Sequence, residues 1–277
     1  VGEVARAGSA GGGGGDPFLS GERRPELRGG VDVWIAPVDV VLDPAEADGC
    51  KEVVTPAELA GCDRFRFDAD RRRELATRAL ARIVLSRYAE VAPGEWRFET
   101  GQFGRPEIAS PAGTRLRFNL AHTRDLVACA VTETADVGVD VERVARLQKL
   151  SMLVATVMSD AEADDFRPAP EPERAGLFIT AWTLKEAYLK ARGLGLTLSP
   201  RAASFALDAS GAIRVTFSAE AADDPAAWWF ASWDEPPEHV VAVALRTGGA
   251  PSRVQIRRLV SFDGRADAAG RLLRRSR

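Results

Sequence analysis

Cysteine, histidine and lysine are scarce in this chain of 277 residues. The cysteines, Cys50, Cys62 and Cys129, form no CxxC pair, and the only histidines are His122 and His239. That set is too thin for a Cys/His zinc site. An odd number of cysteines argues for a reducing compartment over a disulfide framework. Lysine occurs only at Lys51, Lys149, Lys185 and Lys190, so arginine carries nearly all the positive charge, as a biased genomic composition would produce. The formal net charge is only -3, which offers no broad basic track for nucleic acid. Long apolar runs are missing too. None approaches the roughly 20 residues that cross a bilayer, and Val1 to about Gly30 has no apolar core of signal-peptide type. These absences leave a cytoplasmic protein with no membrane and no nucleic-acid partner as the expectation.

What is present is enough to fold. Apolar residues make up 45% and charged residues 28%, a core-forming composition for one large or two smaller domains. Gly8 to Gly15 offers almost nothing to pack, so residues 1–30 are expected to form a flexible arm. Val31 to Val41 reads as a strand, and Leu75, Ala79, Leu80, Ile83, Val84 and Tyr88 mark a helix from about Asp70 to Tyr88. Short strands follow at Trp96 to Thr100, Leu116 to Leu120, Leu126 to Val131 and Val137 to Glu142. A helical stretch from Leu147 to Met158 leads to Ser159, which with Glu162 makes a capping box for the next helix. Phe178 to Ala191 is a further helix, stopped by Gly193 and Gly195. Strands at Ser204 to Leu207, Ile213 to Phe217, Trp228 to Trp233 and His239 to Leu245 close the pattern, with a hairpin turn at Asp208 to Gly211. Helix followed by strands thus occurs twice. The expected division is an arm at 1–30, subdomains at 31–134 and 135–250, and a basic tail at 251–277, with partial disorder expected from Arg257 to Arg277.

Four groups of residues carry possible chemistry. In a strand over Val137 to Glu142, Asp140 and Glu142 share one face with Gly138, opposite Val137, Val139 and Val141. Two adjacent carboxylates repel unless a cation lies between them, and a hard divalent ion such as Mg²⁺ prefers oxygen ligands. A solvated acidic edge strand shows the same spacing. On the helix, Trp182, Glu186 and Lys190 stand one turn apart on one face. An ordinary Glu–Lys pair would look no different, but the helix is apolar enough that its polar face should look into a cleft. His122 with Thr123 at a strand end, and Arg73 and Arg105 in the basic material, are candidate phosphate donors. A satisfied surface histidine and solvated arginines are the bland alternatives, and His239, in an apolar strand, reads as structural.

Taken in order, these segments resemble a known family. Gly138-Val139-Asp140-Val141-Glu142 and Trp182-Thr183-Leu184-Lys185-Glu186-Ala187-Tyr188-Leu189-Lys190 match the signatures of 4′-phosphopantetheinyl transferases of the Sfp type. Asn119-Leu120-Ala121-His122-Thr123, Gly101-Gln102-Phe103-Gly104-Arg105-Pro106 and the Asp70-x-x-Arg73 pair match further elements. The resemblance covers roughly Val31 to Leu245. It implies an α+β fold, a pseudo-dimer of two similar α/β subdomains within one monomeric chain, with the active site in the cleft between them. It implies transfer of the 4′-phosphopantetheine group of coenzyme A to a serine of an apo acyl or peptidyl carrier protein, Mg²⁺-dependent, releasing adenosine 3′,5′-bisphosphate. By resemblance, Asp140, Glu142 and Glu186 hold the metal, Lys190 contacts the pyrophosphate, and Glu186 and Lys190 serve catalysis. His122, Thr123, Arg73 and Arg105 fall to the 3′-phosphoadenosine end. Arg64 and Arg66 match nothing securely. One position departs from the pattern: Ala121 stands where the family usually has serine, which removes a phosphate donor. Met152, Val154, Val157 and Met158 are candidates for a carrier docking patch, with a place in the core as the alternative. A catalytically idle binding module of the same fold is the competing reading, against which the intact acidic trio and Lys190 argue.

Overall fold

The computed structural model describes residues 25–42, 47–101, 103–133, 135–144, 150–208, 210–261, 266–268 and 274–276. Residues 1–24 of the expected arm at 1–30, Gln102 and the start of the helical stretch at 147–149 lie outside the described residues, while Leu27 at the end of that arm packs into the core of the first half.

The first half opens with strand β1 (Val31–Pro37), helices α1 (Val38–Val41), α2 (Ala47–Val53) and α3 (Pro56–Cys62), and the long helix α4 (Asp68–Ser86). A hairpin follows, β2 (Arg97–Thr100) and β3 (Pro106–Ser110), then β4 (Arg117–His122) and β5 (Leu126–Thr132). The second half repeats the plan with β6 (Asp136–Arg143), helices α5 (Leu150–Val157), α6 (Asp160–Phe166) and α7 (Glu171–Arg192), hairpin β7 (Ala203–Leu207) and β8 (Ile213–Phe217), then β9 (Trp228–Glu235) and β10 (His239–Arg246). Strands β11 (Val254–Leu259), β12 (Ala266–Ala268) and β13 (Arg274–Arg275) complete the described elements.

The pairing repeats as well. β5 lies antiparallel between β1 and β4, and β10 lies antiparallel between β6 and β9. One order, first strand–last strand–middle strand, therefore builds both sheets, and the fold is α+β with the repeat that was expected. Alternation along the strands decides the layers. Val31, Val33 and Ile35 of β1 and Ala128 and Ala130 of β5 face Val137, Val139, Val141, Trp233, Val241 and Val243 of the second sheet in one shared apolar layer. Trp34, Cys129 and Val131 turn the other way, under Leu80, Ile83 and Val84 of α4. Phe230, Ala242 and Ala244 likewise lie under Leu184, Ala187 and Tyr188 of α7.

Several expected boundaries move. The first strand ends at Pro37 instead of Val41, because proline has no N–H for the ladder and its fixed φ suits a helix entry. The α7 helix starts at Glu171, seven residues before the apolar stretch, since Pro172 in the first turn is compatible with a helix start. Gly193 ends it in the left-handed region, φ 64°, as the sequence indicates. Ser159 and Glu162 form the expected reciprocal cap. The chief correction concerns the arginine-rich tail. Residues 254–259 are not loose: β11 runs parallel to β1, and Arg253 and Arg257 pair with the fully buried Asp32 at 2.8 and 3.0 Å. Buried Asp32, which also accepts from Tyr88 (2.7 Å), needs those partners and draws the segment into the sheet.

Strand β6 and helix α7 come close together at Gly138. A Cβ there would meet the Ala187 carbonyl oxygen at 2.0 Å and the Ala191 nitrogen at 2.5 Å. Since both are helix backbone, neither can swing aside. Gly138→Ala is therefore expected to cost at least about 1–3 kcal/mol, measured by chemical denaturation, with α7 displaced from β6; an unchanged denaturation midpoint would refute this packing.

Candidate active site

The site is built where α7 lies across β6. The two run in opposite directions, so successive outward residues of the strand meet successive turns of the helix. Gly138 meets Ala187 and Ala191, Asp140 meets Lys190, and Glu142 meets Trp182. The face that spacing left undecided is thus covered by helix and is not a solvated edge.

Asp140 is buried and Lys190 Nζ donates to its Oδ1 at 2.7 Å, while Asp140 Oδ2 has no partner. Trp182 Nε1–H donates to Glu142 Oε1 at 3.1 Å, which fixes that carboxylate toward the helix. Glu186 Oε1 is also buried without a partner. Burial, then the charge of Asp140, then Glu142, push the Glu186 carboxyl up to about 7, with Lys190 pulling the other way. Glu142 is raised by burial and by Asp140. Three carboxylates therefore crowd around a single ammonium, and two of their oxygens are left buried and unpaired. Such an all-oxygen acidic set suits a hard divalent cation, and a second cation would relieve the repulsion that Lys190 alone does not. Among the described residues no three Asp, Glu, His or Cys side chains are already drawn tightly enough to enclose an ion, so the carboxylates would have to close on it.

Lys190 also borders a cleft of about 640 Å³ that runs into the first half. Its walls come from α3 and α4 (Glu58, Glu74, Thr77, Arg78, Arg82), from the hairpin (Phe98, Glu99, Gly104, Pro106) and from β4 (Phe118, Ala121, His122). The two halves meet at this edge, where Val139 N–H donates across to Asn119 Oδ1 at 2.9 Å. His122 lines the cleft, and partial burial, then Arg73, hold its imidazole below the ordinary value, hence neutral near pH 7. Ala121 borders both the cleft and the apolar layer between the sheets.

The other expected ligands are placed less directly. Arg73 pairs with Asp70 (2.8 Å) one turn away and acts on the cleft through its field at His122. The Thr123 N–H is committed to Leu126 O (2.9 Å) in the β4–β5 turn. Arg105 is turned from the cleft onto carbonyls of α7 and β4. Arg66 stacks over Phe67, 5.4 Å from the ring centre. Of the apolar docking candidates, Val157 and Met158 are buried against Phe178 and Ile179, leaving Met152 exposed and Val154 half-covered. His239 is structural as expected, buried with Nε2 3.0 Å from Asp125 Oδ1. Sequence reasoning gave no role to Glu58 and Glu74. They neutralise cleft arginines through Glu58–Arg82 (2.8 Å) and Glu74–Arg78 (2.7 Å), the second readable as an i,i+4 pair.

The chain is similar to known proteins over most of its length. A family model described as the 4′-phosphopantetheinyl transferase superfamily matches residues 136–244, and one described as 4′-phosphopantetheinyl transferase, N-terminal, matches residues 44–134. A phosphopantetheinyl transferase of Thraustochytrium sp. is 31% identical over 218 residues, covering 72% of this chain and 74% of that protein. The 4′-phosphopantetheinyl transferase HetI of Nostoc sp. is 33% identical over 167 residues, 60% of this chain and 70% of that protein. The 4′-phosphopantetheinyl transferase Sfp of Bacillus subtilis is 27% identical over 227 residues, 82% of this chain and 96% of that protein.

The raised Glu186 carboxyl has a consequence for stability. With a folded value of about 7 against an ordinary 4.5, the folded chain keeps a proton that the unfolded chain loses. The stabilisation from that proton is full below the ordinary value and is lost as pH rises through about 7. Without divalent cation, the melting temperature of the protein relative to Glu186→Gln should therefore fall from about pH 5 to about pH 8. A difference that stays flat across that window would contradict the crowding of the three carboxylates.

Proposed function

The chain belongs to the 4′-phosphopantetheinyl transferase superfamily and is an enzyme of that activity, and on this premise we propose that it moves the phosphopantetheine arm of coenzyme A onto a serine of an apo acyl or peptidyl carrier protein. The observation that carries the proposal is Lys190, which pairs with Asp140 of the acidic trio and lines a cleft that also holds His122. Residues 31–134 would serve as the subdomain that walls the cleft and residues 135–250 as the one that bears the reacting groups. The pseudo-two-fold repeat lies within one chain, so a monomer suffices.

In the reaction, the serine oxygen attacks the β-phosphorus of coenzyme A. The bond from that phosphorus to the bridging oxygen breaks, and adenosine 3′,5′-bisphosphate leaves. Asp140, Glu142 and Glu186 would hold Mg²⁺, which when bound supplies positive charge to the pyrophosphate oxygens. Lys190, in reach of both Asp140 and the cleft, stabilises charge growing on the leaving group. The serine proton goes to Glu186, whose Oε1 is buried and unpaired, or to a water held by Glu186 or Glu142. Trp182 keeps Glu142 aimed at the same point. A neutral His122 donates one hydrogen bond to phosphate where its environment resists a full charge. No helix among the described residues is long and apolar enough to cross a membrane. Cys50, Cys62 and Cys129 are buried thiols outside any disulfide, and a reducing cytoplasm is the compartment proposed for the reaction. Met152, exposed on α5, remains for contact with the carrier.

The test is to incubate the protein with coenzyme A, Mg²⁺ and an apo carrier protein and to weigh the carrier. A gain equal to one phosphopantetheine is expected. Asp140→Ala should lower the rate by on the order of 10²–10³ while the circular dichroism spectrum stays native. A carrier that gains no mass would refute the proposal, and a normal rate in the variant would remove Asp140 from the mechanism.

A further inference from the structure

Arg105 differs from the other basic residues near the cleft. Its neighbours Gly104 and Pro106 line the 640 Å³ space, but Arg105 does not. It borders a separate crevice of about 150 Å³ with Glu107, Arg117 and Phe118. Two of its guanidinium nitrogens are occupied by backbone, with Nε buried and unpaired: Nη1 donates to Lys190 O at 3.3 Å and to Ala191 O at 3.1 Å, and Nη2 to Phe118 O at 3.4 Å. These acceptors belong to two walls of the cleft, the last turn of α7 and strand β4. Gly193, the left-handed cap of α7, packs against the same side chain, with a Cβ there falling 3.9 Å from Arg105 Cδ and Nη1. A cation among the last carbonyls of a helix also meets the negative end of its dipole. The planar fork reaches several acceptors at once, which a single ammonium does not.

We infer that Arg105 is a positioning residue, a strap from the β2–β3 loop that fixes the last turn of α7, and so Lys190, against β4, in place of the 3′-phosphoadenosine contact that family resemblance implies for it. The inference rests on the transferase reading and sharpens it. A phosphate ligand matters only for a donor that carries the phosphate. A strap acts on the transfer step for any donor, because it sets where Lys190 stands relative to the cleft wall.

The experiment compares coenzyme A with 3′-dephospho-coenzyme A as donors, using the wild-type protein, Arg105→Ala and Arg105→Lys, with hydrogen exchange followed at the end of α7. Both variants should lose at least about tenfold in kcat with both donors, because small misplacement of reacting groups is costly. The ratio of kcat/KM for the two donors should stay within about twofold of wild type. The last turn of α7 should exchange faster in both variants while β10 keeps its protection. A loss confined to coenzyme A, or full rescue by lysine, would overturn the inference and make Arg105 a phosphate ligand. Unchanged exchange at α7 would overturn it as well. If Arg105→Ala does not fold, the lysine variant carries the comparison. If the wild type uses neither donor, the transferase reading falls, and the exchange measurement still decides the strap.

Discussion

The distance between α7 and β6 governs the site. At Gly138 the strand comes so near the helix backbone that no side chain fits between them. From there the chemistry follows by geometry. Two strand positions further on, Asp140 meets Lys190, and two beyond that Glu142 meets Trp182, while Glu186 stands between them on the same helical face. Packing thus forces three carboxylates into a partly buried space with one ammonium. The strain of that arrangement appears in the raised carboxyls and in two unpaired buried oxygens. A site balanced in this way favours more positive charge, as the proposed binding of a cation together with a pyrophosphate would require.

The doubled architecture explains why the site is asymmetric. Both halves share a strand order and a helix packed on the outer face of the sheet. In the first half, the face of β1 toward α4 presents Trp34 and Ala36, and the buried acid, Asp32, is fully occupied by Tyr88, Arg253 and Arg257. In the second half, the corresponding strand presents Gly138, Asp140 and Glu142. In the first copy the buried acid is paired, while in the second two carboxylate oxygens stay buried without a partner. The first copy still contributes its hairpin, α3, α4 and the edge strand β4, which together wall the cleft.

Much of this was legible in the residues. Alternation in β6 separated the valines from the acids, and helical spacing brought Glu186 and Lys190 together. Ser159 and Glu162 announced the cap of α6. Those are local features, set by periods of two and 3.6 residues. What was not legible depended on distant partners. Nothing in the segment 254–259 indicates that buried Asp32, more than two hundred residues earlier, will draw it into the sheet. The direction of Arg105 was hidden because a Gly-Arg-Pro turn fixes backbone but not the acceptor, and the acceptors sit at the end of α7. Helix α3 is a different case. Thr55 and Glu58, with Pro56 between them, display a capping box in the sequence, but the segment has no apolar stripe to mark a helix. Val157 and Met158 turned inward because α7 covers them, a fact of packing that their own short run does not contain.

The central claim is that Asp140, Glu142 and Glu186 act as one oxygen-lined cation site beside Lys190. The most direct measurement is electron paramagnetic resonance of Mn²⁺ titrated into the protein in the presence of coenzyme A. The wild type should bind one Mn²⁺ per chain, and an Asp140→Asn, Glu186→Gln double variant that keeps the native fold should bind none at the same concentration. A double variant that still takes up one Mn²⁺ as tightly as the wild type would contradict the account.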